Sequence, residues 1–415
     1  MEKQLKKELY NLCDPYRISY PIDVNINIDE FYDDHTLLRG FNWAEKLFDH
    51  IDFGEGDTFQ LFTGYSGSGK TTELKRVQKM AEDENYLVVY INSDDYIDMN
   101  SEVGISDIYN SIIYSTVIEV NKLDDIGAVF TDEGYFERLK NFMKSEVNIS
   151  EVNIQDVVLE MKGTPTLRQQ VRQHIEDNFS KYQKDIKQDL AKLNEKVKNK
   201  GKTGILIILD SLEKNKGITS NYDEVIKASE VIFSNRDNLS MPLDIIYTVP
   251  TYLSERVRLN HIDFLPAIKV KDKNGDPYEK GLEALRMLVS SRVSEDNQKE
   301  IFGDDYKNQV DKIIKFSGGY VRELLEILRM AIIQKNYPVK SEIVDKLIQN
   351  EKNSFKELVN SDIVKELKEV HEKKEISHIS DISIKDQLLT NHLILRYRNS
   401  DLWFDLHPAL EEFTK

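Results

Sequence analysis

Apolar positions along this chain follow two spacings. Short runs dense in β-branched residues and leucine occupy positions 58–63, 86–91, 204–209 and 243–249, with a weaker fifth run at 265–270. Between them the apolar residues recur at helical spacing. Runs that are apolar on both faces and alternate with helices predict an α/β protein with a parallel sheet covered on both sides.

About 110 residues separate the second run from the third, too many for a simple crossover. Much of this insertion reads as one long helix. Its apolar positions are Leu167, Val171, Ile175, Phe179, Tyr182, Ile186, Leu190, Leu193 and Val197, an average step of about 3.75 residues. Thr164 is placed to cap it, Pro165 suits its first turn and Gly201 ends it. Roughly 36 residues would make a rod of about 54 Å. Such a stripe either lies on its own protein or forms an arm for a partner; a step above 3.5 argues against a left-handed coiled coil.

Beyond the sheet, helices are expected at 278–293, 305–316, 320–334 and 341–350, broken by Ser317-Gly318-Gly319 and by Asn336-Tyr337-Pro338. They predict a helical lid domain. From Phe355 the pattern changes to short helices, then to strand-like runs at 393–398 and 402–406 joined by Asn399-Ser400-Asp401. Helices followed by a terminal hairpin suggest a winged-helix-like unit. The expected division is an N-terminal helical or linker segment at 1–55 and a core at 56–272 with the insertion at about 100–202. The lid follows at 273–352 and the winged-helix-like unit at 353–415.

Composition narrows the function classes. A chain of 415 residues, 40% hydrophobic, has material for roughly two to three domains. Its net charge of −17 excludes a generally basic nucleic-acid coat but leaves room for a local cationic site. Cys13 is the single cysteine, so no internal disulfide forms, and no Cys/His cluster has zinc spacing. The charged start, Met1-Glu2-Lys3-Gln4, does not read as a signal peptide, and the apolar run at 205–209 is too short to span a bilayer. A cytoplasmic protein without a membrane partner is expected.

The sharpest chemical signal is Gly64-Tyr65-Ser66-Gly67-Ser68-Gly69-Lys70-Thr71, which satisfies G-x-x-x-x-G-K-[ST] between a strand and a helix. Glycines let the backbone curl so that amides of Gly67, Ser68 and Gly69 point at phosphates, and the helix N-terminus adds partial positive charge. Lys70 would reach the β- and γ-phosphates of ATP, Thr71 would bind Mg²⁺, and Thr72 is placed for the α-phosphate. Gly64 and Ser66 complete the expected cradle.

Magnesium in such a site needs a second carboxylate at the tip of a buried strand. Ile205-Leu206-Ile207-Ile208-Leu209-Asp210 supplies one. Glu213, three residues on, is a candidate general base for the attacking water or a surface residue at a helix start. Thr248, ending the fourth run, would face the γ-phosphate or bond to backbone. Arg322, early in a lid helix, would report the γ-phosphate or point to solvent. Arg256 and Arg258 are candidates for an arginine finger toward a neighbouring subunit.

These residues, in this order, resemble the AAA+ superfamily, and more narrowly its signal-transducing (STAND) and replication-initiator branches and a group of bacterial AAA-type ATPases. The likeness covers roughly residues 31–330. It implies a Walker A lysine at Lys70, a Walker B aspartate at Asp210, sensors at Thr248 and Arg322, a helical lid and a winged helix. Ser211 stands where many AAA+ enzymes have a second acid directly after the aspartate; Glu213 substitutes in an Asp-x-x-acid arrangement, and slow hydrolysis would follow if it did not.

An ATP-driven switch is therefore the leading expectation, acting on a protein effector or a homo-oligomer. The resemblance also implies a setting in bacterial antiviral defence. The alternative is an initiator-like ATPase that loads factors onto DNA through its winged helix. Residues 355–415 carry 9 Lys/Arg and 12 Asp/Glu, a net of −3, and only Arg396 and Arg398 beside Tyr397 form a basic cluster, which favours a protein partner. Trp403 and Phe404 read as core or protein-contact residues. A GTPase is disfavoured because Asn215-Lys216-Gly217-Ile218 lacks the aspartate of a guanine reader, and the helical lid is too large for a nucleoside-kinase flap.

Overall fold

The structure is a computed structural model that describes residues 1–15, 38–123, 164–215, 221–257, 261–399 and 401–414. The chain divides into two compact units. One comprises residues 1–43, 64–72 and 265–415; the other comprises 44–63 and 73–264.

The first element, α1 (Lys3–Leu12), belongs to the first of these units. The second unit starts with α2 (Trp43–Asp52) and β1 (Phe59–Gly64), followed by α3 (Lys70–Asp83), β2 (Leu87–Asn92) and α4 (Ile105–Asn121). Helices α5 (Pro165–Asp177) and α6 (Phe179–Asn199) lead into β3 (Ile205–Asp210). Then come α7 (Tyr222–Ser234), β4 (Asp244–Thr248) and β5 (Ile262–Leu265). The sheet order is β2-β3-β4-β1-β5. β2 with β3, β3 with β4 and β4 with β1 run parallel. All six residues of β3 are buried, as a central strand covered on both faces requires. A parallel sheet whose first strand runs into a glycine-rich loop and a helix is the P-loop nucleoside-triphosphatase fold, of the α/β class.

Register levels the functional ends of the strands. Phe62 pairs with Thr248, and Leu209 pairs with Tyr247, so β1, β4 and β3 finish together. Ligands in open parallel sheets collect at these carboxy ends.

Two expectations need correction. The apolar run at 265–270 is not a strand; β5 lies at Ile262–Leu265. After Pro266 the backbone leaves the sheet and finds other acceptors: Ala267 N–H bonds the Arg396 carbonyl at 2.9 Å, Ile268 N–H that of Gly319 at 3.3 Å, and Lys269 N–H that of Leu38 at 3.4 Å. The long helix is two helices, broken at Asn178, whose φ of −123° and ψ of 23° leave the helical well. Its amide also donates to the His174 carbonyl at 3.1 Å, a local bond that competes with helix continuation. Val171, Ile175, Tyr182, Ile186, Leu190, Leu193 and Val197 are all buried in one core with α4 and the sheet, so the stripe lies on its own protein. Part of the insertion, 124–163, lies outside the described residues, as do the side chain of Leu167, Ser400 in the hairpin turn, and the start of the family likeness at Phe31.

In the other unit α1 lies on the lid. Arg329 sits 4.1 Å from the Tyr10 ring centroid and 3.3 Å from Asp14. The lid helices are α8 (Glu279–Ser290), α9 (Glu295–Phe302), α10 (Tyr306–Phe316), α11 (Val321–Ile332) and α12 (Ser341–Glu357). Helix α9 is additional to the sequence reading, capped by the Ser294 hydroxyl. The chain ends with α13 (Ser361–Lys373), α14 (Ile382–Thr390) and an antiparallel hairpin of β6 (Ile394–Arg398) and β7 (Leu402–Leu406). Trp403 and Phe404 are core residues of this unit, Trp403 stacking on Tyr397 at 4.5 Å.

The hairpin and the lid are tied by buried polar contacts. Tyr397 donates its hydroxyl to the Gly318 carbonyl at 2.7 Å, and His407 lies 2.8 Å from Glu323. Asp405 gathers Lys271, Lys374 and His371 at 2.8–2.9 Å. Burial acts to raise the Asp405 carboxyl, but Lys271 and the hydrogen bonds of the cluster outweigh it and hold the group below the usual range.

Candidate nucleotide-binding site

The P-loop leaves the carboxy end of β1 at Gly64. Gly67 and Gly69 adopt φ of +90° and +100°, conformations that side chains with a Cβ rarely take, and Ser68 N–H closes the turn on the Tyr65 carbonyl at 3.0 Å. Lys70 begins α3 and donates to the carbonyls of Gly64 at 3.0 Å and Tyr65 at 3.1 Å. Thr71 and Thr72 follow on the first turn, half-buried. The buried Ser68 hydroxyl has no hydrogen-bond partner among the described residues. An orphaned hydroxyl beside the start of a helix is a donor that a phosphate can satisfy.

The loop is held from the same unit. The Tyr320 hydroxyl donates to the Ser66 carbonyl, and Arg322 donates to the Ser66 hydroxyl at 2.9 Å. Arg322 lies so close that a Cβ on Gly67 would stand 2.5 Å from its Nε. Arg322, expected to report the γ-phosphate or to point to solvent, is thus bonded to the loop itself. Two further residues escaped the sequence reading. Arg39, 2% exposed, donates to the Ser68 carbonyl at 2.8 Å. His392 packs its ring edge-on against Tyr65 at 5.3 Å and Tyr320 at 4.7 Å. Neither carries a motif; a non-glycine residue with φ of +57°, as at His392, is visible only in the backbone.

The second group of candidates lies at the carboxy ends of β3 and β4. Asp210 is 2% exposed. Its Oδ2 accepts from the Tyr90 hydroxyl and its Oδ1 from Ser211 N–H, both at 2.7 Å. Ser211 holds a left-handed φ of +74°, a strain of the kind that collects at functional turns. Glu213 is buried in the short 3₁₀ turn that follows. Thr248 bonds to backbone: its hydroxyl accepts from Leu212 N–H at 3.1 Å and donates to the Leu209 carbonyl at 3.4 Å. It thereby fixes the turn carrying Glu213. Lys75 stands 3.4 Å above the Tyr90 ring, and burial lowers its ammonium pKa while the Asp210 charge acts the other way.

The remaining candidates take structural partners or fall outside view. Arg256 pairs with Glu230 at 3.2 Å, while Arg258 lies outside the described residues. Asn215 donates to the carbonyls of Met99 and Ser101 at 3.0 and 2.8 Å, and 216–218 lie outside the described residues. Arg396 and Arg398 cover Phe404 and Phe41 at 5.6 and 4.4 Å from the ring centroids.

The Thr71 hydroxyl and the Asp210 carboxylate are each an oxygen donor of the kind Mg²⁺ takes, a cation that uses few protein ligands and completes its shell with phosphate and water. Among the described residues no group of three or more His, Cys, Asp and Glu could hold a metal ion. No described helix is long and apolar enough to cross a membrane.

No protein-family model and no curated protein matches the chain. Among solved structures it is similar to the Aeropyrum pernix ORC2 protein in its ADPNP-ADP complexes, at 14% identity over 97% of this chain and 96% of that one, with a TM-score of 0.37. It is also similar to Cdc6p from Pyrobaculum aerophilum, at 12% identity over 97% and 96%, with a TM-score of 0.35. Both likenesses are faint, and the fold rests on the chain's own geometry.

Proposed function

We propose that this chain is an Mg²⁺-dependent ATPase of the AAA+ type that works as a switch, coupling its nucleotide state to a partner protein. The observation that carries this reading is the pair of lid residues, Tyr320 and Arg322, bonded to Ser66 of the P-loop. A phosphate-binding loop gripped by the helix that follows Gly318-Gly319 gives ATP a handle on the lid.

In this reading the amides of Gly67 and Gly69, the Ser68 hydroxyl and Lys70 would bind the triphosphate, while Ser68 N–H, expected to point at phosphate, closes the turn on Tyr65 instead. Thr71 and Asp210 would hold Mg²⁺, which when bound neutralises charge on the phosphates. Glu213 would take a proton from the attacking water, with Thr248 holding its turn in place. Arg322 would exchange its bond to Ser66 for the γ-phosphate, and Tyr320 would move with it. After hydrolysis Tyr320 and Arg322 would be free to bond Ser66 again. A protein partner is favoured over DNA because the basic residues of the hairpin lie over aromatic rings and residues 355–415 sum to −3. The antiviral setting is carried by the family resemblance alone, and the winged-helix reading and the four-part domain division by the sequence pattern.

Substitution of Glu213 tests the chemistry. Glu213→Gln is expected to bind ATP as the wild type does and to lose phosphate release by a factor of about 100 or more. Undiminished release would remove Glu213 as the base; absence of any release from the wild type would remove the ATPase.

A further inference from the structure

We propose that Tyr90 is a positioning residue whose hydroxyl fixes the Asp210 carboxylate for its metal, so that the Mg²⁺ requirement of nucleotide binding is set partly from the neighbouring strand. This rests on the reading of Asp210 as the carboxylate of a nucleotide site.

Strand register makes the contact specific. Asn92 stands opposite Asp210 in the β2–β3 pair, and Tyr90 stands opposite Ile208. Tyr90 is therefore the diagonal neighbour of Asp210 on the adjacent parallel strand, and a long side chain is needed to bridge the two. A phenol spans it and ends 2.7 Å from Oδ2.

The carboxylate torsion of aspartate is soft, with two broad wells. Here the donors that hold it include the Tyr90 hydroxyl on Oδ2 and Ser211 N–H on Oδ1. The second donor is available because Ser211 sits at φ of +74°, which turns its amide back onto the acid. Each carboxylate oxygen offers two acceptor sites, so a donor and a cation can share one oxygen. Partners of this kind, which orient a ligand without touching the metal, commonly change metal affinity by about 10–100-fold.

Tyr90 is itself held. The Lys75 ammonium lies 3.4 Å from its ring centroid, and Lys75 is on α3, the helix that begins with Lys70. The helix that follows the P-loop thus reaches the acid through Lys75 and the Tyr90 ring. Tyrosine in a β-strand is otherwise unremarked; the sequence gives no sign of this role, which depends on strand pairing across the insertion.

Tyr90→Phe removes the hydroxyl and keeps the ring under Lys75, so the fold is retained. In the full-length chain, binding of a slowly hydrolysed ATP analogue is titrated at a series of free Mg²⁺ concentrations and again in EDTA. The half-saturating Mg²⁺ concentration is expected to rise about tenfold or more in Tyr90→Phe, with the EDTA affinity equal to that of the wild type. An unchanged Mg²⁺ midpoint overturns the proposal. Equal losses with and without Mg²⁺ also overturn it, since they mark a general structural role. A wild-type chain whose analogue binding ignores Mg²⁺ overturns both this role and the reading of Asp210. Lys70→Ala, expected to lose the analogue in both conditions, tests the nucleotide site alone.

Discussion

Buried ionisable side chains set how this protein answers to pH. Burial pushes the Cys13 thiol up to about 11 and the Tyr109 phenol up to about 12, and it raises Tyr247 and Tyr397 well above the ordinary phenol range. In the unfolded chain these groups ionise near 9 and 10, so above pH 9 the unfolded state sheds protons that the folded state keeps. Stability present at neutral pH is therefore lost as pH rises from about 9 toward 11, at up to about 1.4 kcal/mol per pH unit for each group. Urea unfolding followed from pH 7 to 11 should show a flat midpoint that falls beyond pH 9. Tyr247→Phe with Tyr397→Phe should make the fall shallower; a midpoint flat to pH 11 would contradict the burial of these groups.

At the scale of elements, the turn before α11 has little tolerance. A Cβ on Gly319 would lie 1.7 Å from the Ile268 carbonyl oxygen, and its φ of +84° is left-handed. Gly319→Ala should cost more than about 3 kcal/mol, read by thermal unfolding, and should weaken the Tyr320 and Arg322 contacts with the loop as the helix shifts. An unshifted unfolding curve would show that the turn has room. This element also shows what a sequence can disclose. Ser317-Gly318-Gly319 reads as a helix break from residue type alone, and β1, β3 and the P-loop read from their local patterns. The path of 265–270 does not, because an apolar extended segment looks the same whether its amides bond a sheet or, as here, Leu38, Gly319 and Arg396. The break at Asn178 is equally silent, since the apolar period runs through it unchanged and asparagine is an ordinary residue on a helix surface. Arg39, Tyr90 and His392 reach the candidate residues through long-range packing, which no local spacing encodes.

In the whole molecule, the glycine-rich loop is joined to the C-terminal third of the chain. Tyr65, Ser66 and Gly67 each touch it, through His392, through Tyr320 and Arg322, and through Arg322 alone. Tyr397 and His407 extend that link from the lid into the hairpin region. The acidity of the chain does not oppose the proposed role, because backbone amides and Lys70 would provide the local attraction for a polyphosphate. What the account requires is that ATP at the loop alters the lid. Amide hydrogen exchange of the full-length chain, with and without Mg²⁺ and a slowly hydrolysed ATP analogue, reads both ends at once. The prediction is slower exchange over 64–72 and an altered rate over 317–332 in the wild type, with neither change in Lys70→Ala. Identical exchange over 317–332 with and without nucleotide, in a wild-type chain that protects 64–72, would contradict the switch.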